Sequence, residues 1–230
     1  MTETTAPPFA LIAGAGPGLG EALMRRFRDQ GHRVLGLART ARQTEDGLTV
    51  QSLDLTDTEQ MPAQLDALVA QNGVPTVVVH NPAKLLIAPL AETDPADFEA
   101  VWKATCLSAM LLGRSLLPKM ADAGGGSFLV SGATASLRGG ARFAAFASAK
   151  FALRGLTQAM AREFQPQGIH VAHVILDGII DTPNSRSMHG LSEDKMMNTA
   201  EIAETYWQLA AQPRSTWTHE LDLRPMAERF

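Results

Sequence analysis

A short apolar run, Phe9 to Ala13, drops directly into Gly14-Ala15-Gly16-Pro17-Gly18-Leu19-Gly20, after which Leu19, Leu23, Met24 and Phe27 recur at helical spacing until Gly31 supplies a stop. Strand, glycine turn and helix in that order constrain the chain more than any other feature. The turn carries free backbone N–H groups and the positive end of a helix dipole, and glycine lets a ligand approach the backbone closely. A dinucleotide pyrophosphate suits such a turn; the plain alternative is a tight strand-to-helix connection without a ligand. The spacing is Gly14-x-x-x-Gly18-x-Gly20, which differs from the G-x-G-x-x-G form even though Gly16 also falls within it.

The alternation continues along the chain. Val34–Ala38, Leu48–Leu53 and Thr76–Val79 read as strands, with a helix at Met61–Ala70 closed by Asn72-Gly73. A long helix is expected from about Asp97 to Leu117, ended by Pro118, then the Gly124–Gly126 turn and a strand at Ser127–Ser131. A helix from about Ala141 to Phe164 and a strand at Ile169–Leu176 follow. Beyond them come an irregular polar stretch at Asp181–Lys195, a helix at Ala200–Ala211 and an extended piece at Thr216–Leu223. Apolar strands alternating with helices predict an open, doubly wound parallel α/β sheet flanked by helices. No repeat or linker divides the 230 residues, so a single domain spanning 1–230 is expected.

Composition narrows the function classes. Lys+Arg 20 against Asp+Glu 24 gives a net charge of −4, with no basic stripe to meet a phosphate backbone, so a nucleic-acid partner is not expected. One cysteine, Cys106, allows neither an internal disulfide nor a Cys-rich metal site. His170 and His173 lie at an odd separation on one strand and point to opposite faces, so they read as structural and no metal site is expected. No serine sits in a G-x-S-x-G elbow. No stretch approaches the roughly 18 apolar residues of a membrane helix, and the start MTETTAPP lacks the basic and apolar regions of a signal peptide. A soluble cytoplasmic protein is the expectation.

The order GAGPGLG, then Leu53-Asp54-Leu55-Thr56, then His80-Asn81-Pro82-Ala83, then a late helix bearing Lys150, resembles the short-chain dehydrogenase/reductase family over nearly the whole chain. The resemblance implies a Rossmann-like domain that holds a nicotinamide cofactor. Gly14, Gly16, Gly18, Leu19 and Gly20 would meet the pyrophosphate, Asp54 and Leu55 the adenine, Asn81 the turn after the fourth strand, and Lys150 the nicotinamide ribose. Leu176-Asp177-Gly178-Ile179-Ile180-Asp181-Thr182-Pro183 resembles the family's Pro-Gly-x-x-x-Thr segment, which places Gly178, Ile180 and Thr182 at the nicotinamide amide, with Asp177 where the proline usually stands. The polar stretch at about 182–198 falls at the family's substrate lid, for which Met188, Met196 and Met197 offer flexible apolar cover. At the end of the second strand an acidic residue would bind the ribose 2′-OH of NAD, but the segment reads Leu37-Ala38-Arg39. Arg39, joined by Arg42, could instead pair with the 2′-phosphate of NADP, so NADP is expected and NAD is the alternative.

The catalytic region departs from the family. Its Tyr-x-x-x-Lys pair puts a phenol and an ammonium on one helix face, the lysine lowering the phenol pKa for proton exchange with the substrate oxygen. Here Phe146-Ala147-Ser148-Ala149-Lys150 keeps the lysine and lacks the phenol; the family's serine falls on Ala133 and its asparagine on Thr105. Ser131 and Thr134 are the nearby hydroxyls, and with Lys150 they form the expected catalytic set. Two functions follow: hydride transfer to or from a small-molecule carbonyl or alcohol with an atypical proton donor, or a non-catalytic NAD(P)-binding regulatory protein. The helix around Ala100–Leu117 is apolar on more than one face, which predicts, with the family resemblance, a homodimer or homotetramer through it and the helix that follows.

Overall fold

The computed structural model describes residues 6–227, so the first five residues of the polar lead lie outside the described residues. Among the described residues eight strands form one sheet, in the order β3-β4-β2-β1-β5-β6-β7-β8. These are β1 Phe9–Ala13, β2 Arg33–Ala38, β3 Arg42–Gln43, β4 Thr49–Ser52, β5 Val77–His80, β6 Gly126–Ser131, β7 Ile169–Leu176 and β8 Glu220–Leu223. Every neighbouring pair is parallel except β3 with β4. The two-residue β3 carries no apolar run, which is why the sequence pattern does not announce it.

Helices α1 Leu19–Asp29 and α7 Thr199–Ala210 cover one face; α2 Met61–Asn72, α4 Ser108–Asp122 and α5 Ala144–Phe164 cover the other. Alternation in β1 shows the partition: Phe9, Leu11 and Ala13 join the α2/α4/α5 core, whereas Ala10 and Ile12 join the α1/α7 core. Both faces of the strand are dry, so it reads as an unbroken apolar run rather than an alternating one. This is the doubly wound, Rossmann-like architecture. Among the described residues no helix is long and apolar enough to cross a membrane.

Two expectations about helices are corrected. The helix expected from about Asp97 to Leu117 is three pieces: α3 Pro95–Trp102, started by the Asp94 side chain on the amide of Ala96, a π-helical segment Lys103–Leu107, and α4. Pro118 does not end it, since α4 runs on to Asp122. The proline lies on the exposed side, where a carbonyl deprived of its partner can be hydrated. The stretch Asp181–Lys195 is not wholly irregular, because Pro183–His189 forms helix α6. Its signals were present: Thr182 caps the amide of Ser185, Pro183 occupies the first turn, and Gly190 closes the helix at a φ of 60°.

Candidate functional site

Parallel strands deliver their carboxyl ends to one edge, where doubly wound folds bind ligands. At that edge a cavity of about 640 Å³ is walled by Gly14 and Gly16, by Leu37, Ala38 and Arg39 after β2, by Leu53–Thr56 after β4, by Asn81–Lys84 after β5, and by Ala100, Lys103 and Ala104. Six of the expected cofactor residues, Gly14, Gly16, Arg39, Asp54, Leu55 and Asn81, therefore meet around one space. Leu19 and Leu55 bury their side chains and offer the edge only backbone.

Backbone contacts hold the glycine loop. The amide of Gly14 donates to Leu37 O at 2.9 Å, and Asn81 Nδ2 donates to Gly14 O at 3.2 Å. Gly20 abuts the Gly14 carbonyl, so that a Cβ there would stand 2.5 Å from it. Gly18 has a φ of +108°, and its missing Cβ leaves room for the Thr182 methyl, which a side chain would meet at 2.7 Å. Thr182 thus rests on the loop. Gly16 differs: nothing stands within 4 Å of where its Cβ would be.

Arg39 is exposed at the rim beside Asp54. Hydrogen bonds from the Thr56 hydroxyl at 2.7 Å and amide at 2.9 Å, with the nearby Arg39 charge, hold the Asp54 carboxyl below the usual carboxylate range. Arg42 does not join Arg39. Its Nη2 is committed to Ala15 O at 2.6 Å and to Glu21 at 2.7 Å, bracing the glycine loop from outside.

Deeper in the edge, Lys150 is 2% exposed and donates to Ser131 O at 2.7 Å, with Nζ 5.7 Å from the centroid of the Phe146 ring. Burial pulls its pKa down to about 8. The Ser131 hydroxyl turns to the opposite face, where it meets Tyr206 Oη at 2.7 Å in the core, so the expectation that Ser131 faces the reacting centre is corrected. Strand alternation is the reason: its carbonyl lies in the sheet plane, toward Lys150, while its side chain follows the α7 face. Thr134, on the turn after β6, gives its hydroxyl hydrogen to Asp177, directly after β7.

Two buried histidines flank Lys150. Ser108 Oγ donates to Ala104 O, so it accepts from His80 Nε2 at 2.8 Å and leaves His80 Nδ1 an unpartnered acceptor. His173 lies between Ser136 Oγ at 3.0 Å and Thr157 Oγ1 at 3.4 Å. Burial first and the Lys150 charge second push both imidazoles down to about 3. Thr105 is buried in the π-helical segment with an unpartnered Oγ1. Among the described residues no group of three or more His, Cys, Asp or Glu could hold a metal ion.

Gly178, Ile180 and Thr182 are anchored as a unit, Met197 N donating to Ile179 O at 2.8 Å and Asp181 N to Met197 O at 2.9 Å. Met196 and Met197 are buried packing residues, whereas Met188 is 56% exposed on α6, so the three do not form one mobile cover. Sequence reasoning missed Lys84 and Lys103 in the cavity wall, the Tyr206 partner of Ser131, and Arg224, whose Nη2 lies 3.2 Å from Asp177 Oδ2. The lysines follow directly on the Asn81 turn and on α3, where a count along those elements could have found them. The Arg224 and Tyr206 pairings join elements far apart in sequence and leave no local signal.

The model of the short chain dehydrogenase family matches residues 8–190. A 3-alpha-(or 20-beta)-hydroxysteroid dehydrogenase of Mycobacterium bovis is 28% identical over 182 residues, 76% of this chain and 69% of that protein. The crystal structure of a short-chain dehydrogenase from Rhodopseudomonas palustris is similar at 34% identity and a TM-score of 0.79, covering 96% of this chain and 100% of the other. An alcohol dehydrogenase from the archaeon Thermococcus sibiricus, complexed with 5-hydroxy-NADP, shares the fold at a TM-score of 0.84 and 23% identity, covering 96% and 98%. With the matched span running from β1 through the glycine loop and Lys150 to the end of α6, the chain belongs to the short chain dehydrogenase family.

Proposed function

We propose that this protein is an oxidoreductase that holds NADP(H) along the cavity and moves hydride between it and a carbonyl or alcohol carbon. The observation that carries the reading is the cavity itself: it runs from Gly16, whose backbone is bare toward it, to Arg39, with no acidic side chain at the end of β2. The residues fit the group. Gly14, Gly16, Gly18, Leu19 and Gly20 present backbone to a pyrophosphate, Arg39 pairs with a 2′-phosphate, Asp54 and Leu55 flank the adenine, and Asn81 backs the turn. The nicotinamide supplies hydride transfer when bound. Lys150 has three donors and one is engaged by Ser131 O, which leaves two for ribose hydroxyls. Gly178, Ile180 and Thr182 orient the amide, and the segment 182–198 with α6 acts as lid over the substrate. The nicotinamide cofactor analogue in the Thermococcus structure and the hydroxysteroid name of the mycobacterial relative support cofactor and alcohol as classes.

Assembly belongs to the same reading. Most of the second apolar face expected around Ala100–Leu117 is covered within the protomer, Val101, Leu111 and Leu116 being buried. Trp102 at 38% and Phe151 at 44% exposure remain outside, the latter on the α5 side that also exposes Gly155 and Ala159. A symmetric dimer or tetramer would cover them.

Calorimetric titration tests the cofactor. NADPH should bind at least about tenfold more tightly than NADH, the worth of a charge-assisted pair, and Arg39→Ala should erase most of that preference. Equal dissociation constants for the two cofactors with the wild-type protein would overturn the assignment.

A further inference from the structure

Resting on the oxidoreductase reading above, we propose that Thr134 and Asp177 replace the missing phenol as a two-group proton acceptor that works in the direction of alcohol oxidation. Asp177 directly follows β7 and is 3% exposed; its amide donates to Leu223 O at 2.8 Å, fixing it beside the end of β8. That register delivers Arg224 Nη2 to within 3.2 Å of Asp177 Oδ2, and Arg224 is itself braced by Asp222 at 2.6 Å. A buried carboxyl group is tolerated only when its oxygens are paired or hydrogen-bonded; Arg224 on one oxygen and Thr134 on the other meet that condition.

The direction of the Thr134 hydrogen bond decides what the site can recognise. A hydroxyl has one hydrogen, and Thr134 gives it to Asp177 Oδ1, so toward a ligand it can only accept. It therefore suits a substrate O–H rather than a carbonyl oxygen. Thr134 follows β6 and Asp177 follows β7, at the carboxyl edge of the sheet where Lys150 of α5 reaches Ser131 O. In the step, the substrate O–H bond breaks and its proton goes to Thr134 Oγ1, while the proton already on Thr134 passes to Asp177 Oδ1. The electron pair of that O–H bond becomes the second bond of the new carbonyl as the carbon gives up hydride to the oxidised nicotinamide. The alcohol is oxidised, the nicotinamide reduced, and Asp177 returns its proton to solvent. Thr134 is the catalytic residue of the pair and Asp177 the group that positions and relieves it.

The test uses the full chain with NADP⁺ and three secondary alcohols, cyclohexanol, 1-phenylethanol and a hydroxysteroid. Thr134→Val and Asp177→Asn should lower oxidation by about 100-fold or more, the usual contribution of a positioned proton acceptor, while the NADP⁺ dissociation constant, read by protein fluorescence, stays within about twofold. Thr134→Ser should recover most of the rate, and added formate should restore Asp177→Ala but not Thr134→Val. Oxidation that survives Asp177→Asn, or variants that lose NADP⁺ affinity in step with rate, would overturn the pair while leaving the oxidoreductase reading standing. A wild-type protein that binds NADP⁺ and oxidises none of the three would overturn both.

Discussion

Gly16 and Gly18 lie two residues apart in one loop, yet substitution by alanine should separate binding from folding. Gly18 has a φ of +108° and a ψ of −127°, a region almost closed to residues with a side chain, and a Cβ there would meet the Thr182 methyl at 2.7 Å. Strain of this kind costs about 1–3 kcal/mol. In a chain of 230 residues, with roughly 2–4 °C lost per kcal/mol, Gly18→Ala should lower Tm by about 2–12 °C. Adding Thr182→Ser removes the methyl contact but not the backbone strain, so it should recover part of the loss. Gly16 has open space around its missing Cβ, so Gly16→Ala should change stability by no more than about 0.5 kcal/mol. Its new methyl would nonetheless project where a pyrophosphate has to approach the backbone, and overpacking of about 1–3 kcal/mol predicts NADPH affinity reduced about 5- to 150-fold. Thermal unfolding and calorimetry on both variants decide the matter. A Gly16→Ala protein that binds NADPH like wild type would remove the loop from the cofactor site, and one that melts many degrees early would refute the spatial argument.

The remaining predictions address the buried polar groups and the surface. Ser131→Ala and Tyr206→Phe should each destabilise by about 1–3 kcal/mol because each strands a buried hydroxyl, whereas the double variant should cost less than their sum; urea midpoints measure the cycle. His80 and His173 stay neutral in the folded protein down to about 3 and titrate at the ordinary histidine value of about 6.5 when unfolded, so their contribution is complete above 6.5 and is lost as pH falls toward 3. At pH about 5 each should lower stability by about 2 kcal/mol, so His173→Gln should remove about half of the fall in the urea midpoint between about pH 7 and pH 5 and leave the His80 half, and a variant that falls as far as the wild type would count against the assignment. Restoring Phe146→Tyr with Ala133→Ser should raise NADPH-dependent reduction of a reactive dicarbonyl by about 10-fold or more without changing cofactor affinity, since Lys150 already stands beside the ring; an unchanged rate would move the reacting centre away from Phe146. Phe151→Arg should shift the mass measured by light scattering toward the monomer, and a monomeric wild-type protein would refute the assembly.

Local signals carried the fold and much of the cavity wall. Phe9–Ala13 and Ile169–Leu176 read as strands with the boundaries the structure shows, because strands buried on both faces need uninterrupted apolar residues whatever surrounds them. The glycine loop was legible for the same reason: Gly18 and Gly20 stand where a Cβ has no room, a demand the backbone writes into the sequence. Arg39 was legible as a charge at the end of a strand that lacks an acid. Only the tertiary structure decided where each polar side chain finds its partner. Arg42 turned to Glu21, Ser131 to Tyr206 across the sheet, and Thr134 to Asp177, itself paired with an arginine delivered by β8. Apolar periodicity is repeated over many residues and survives as a pattern, whereas a hydrogen bond between side chains is a single contact between distant segments, fixed by strand register and by which face alternation assigns.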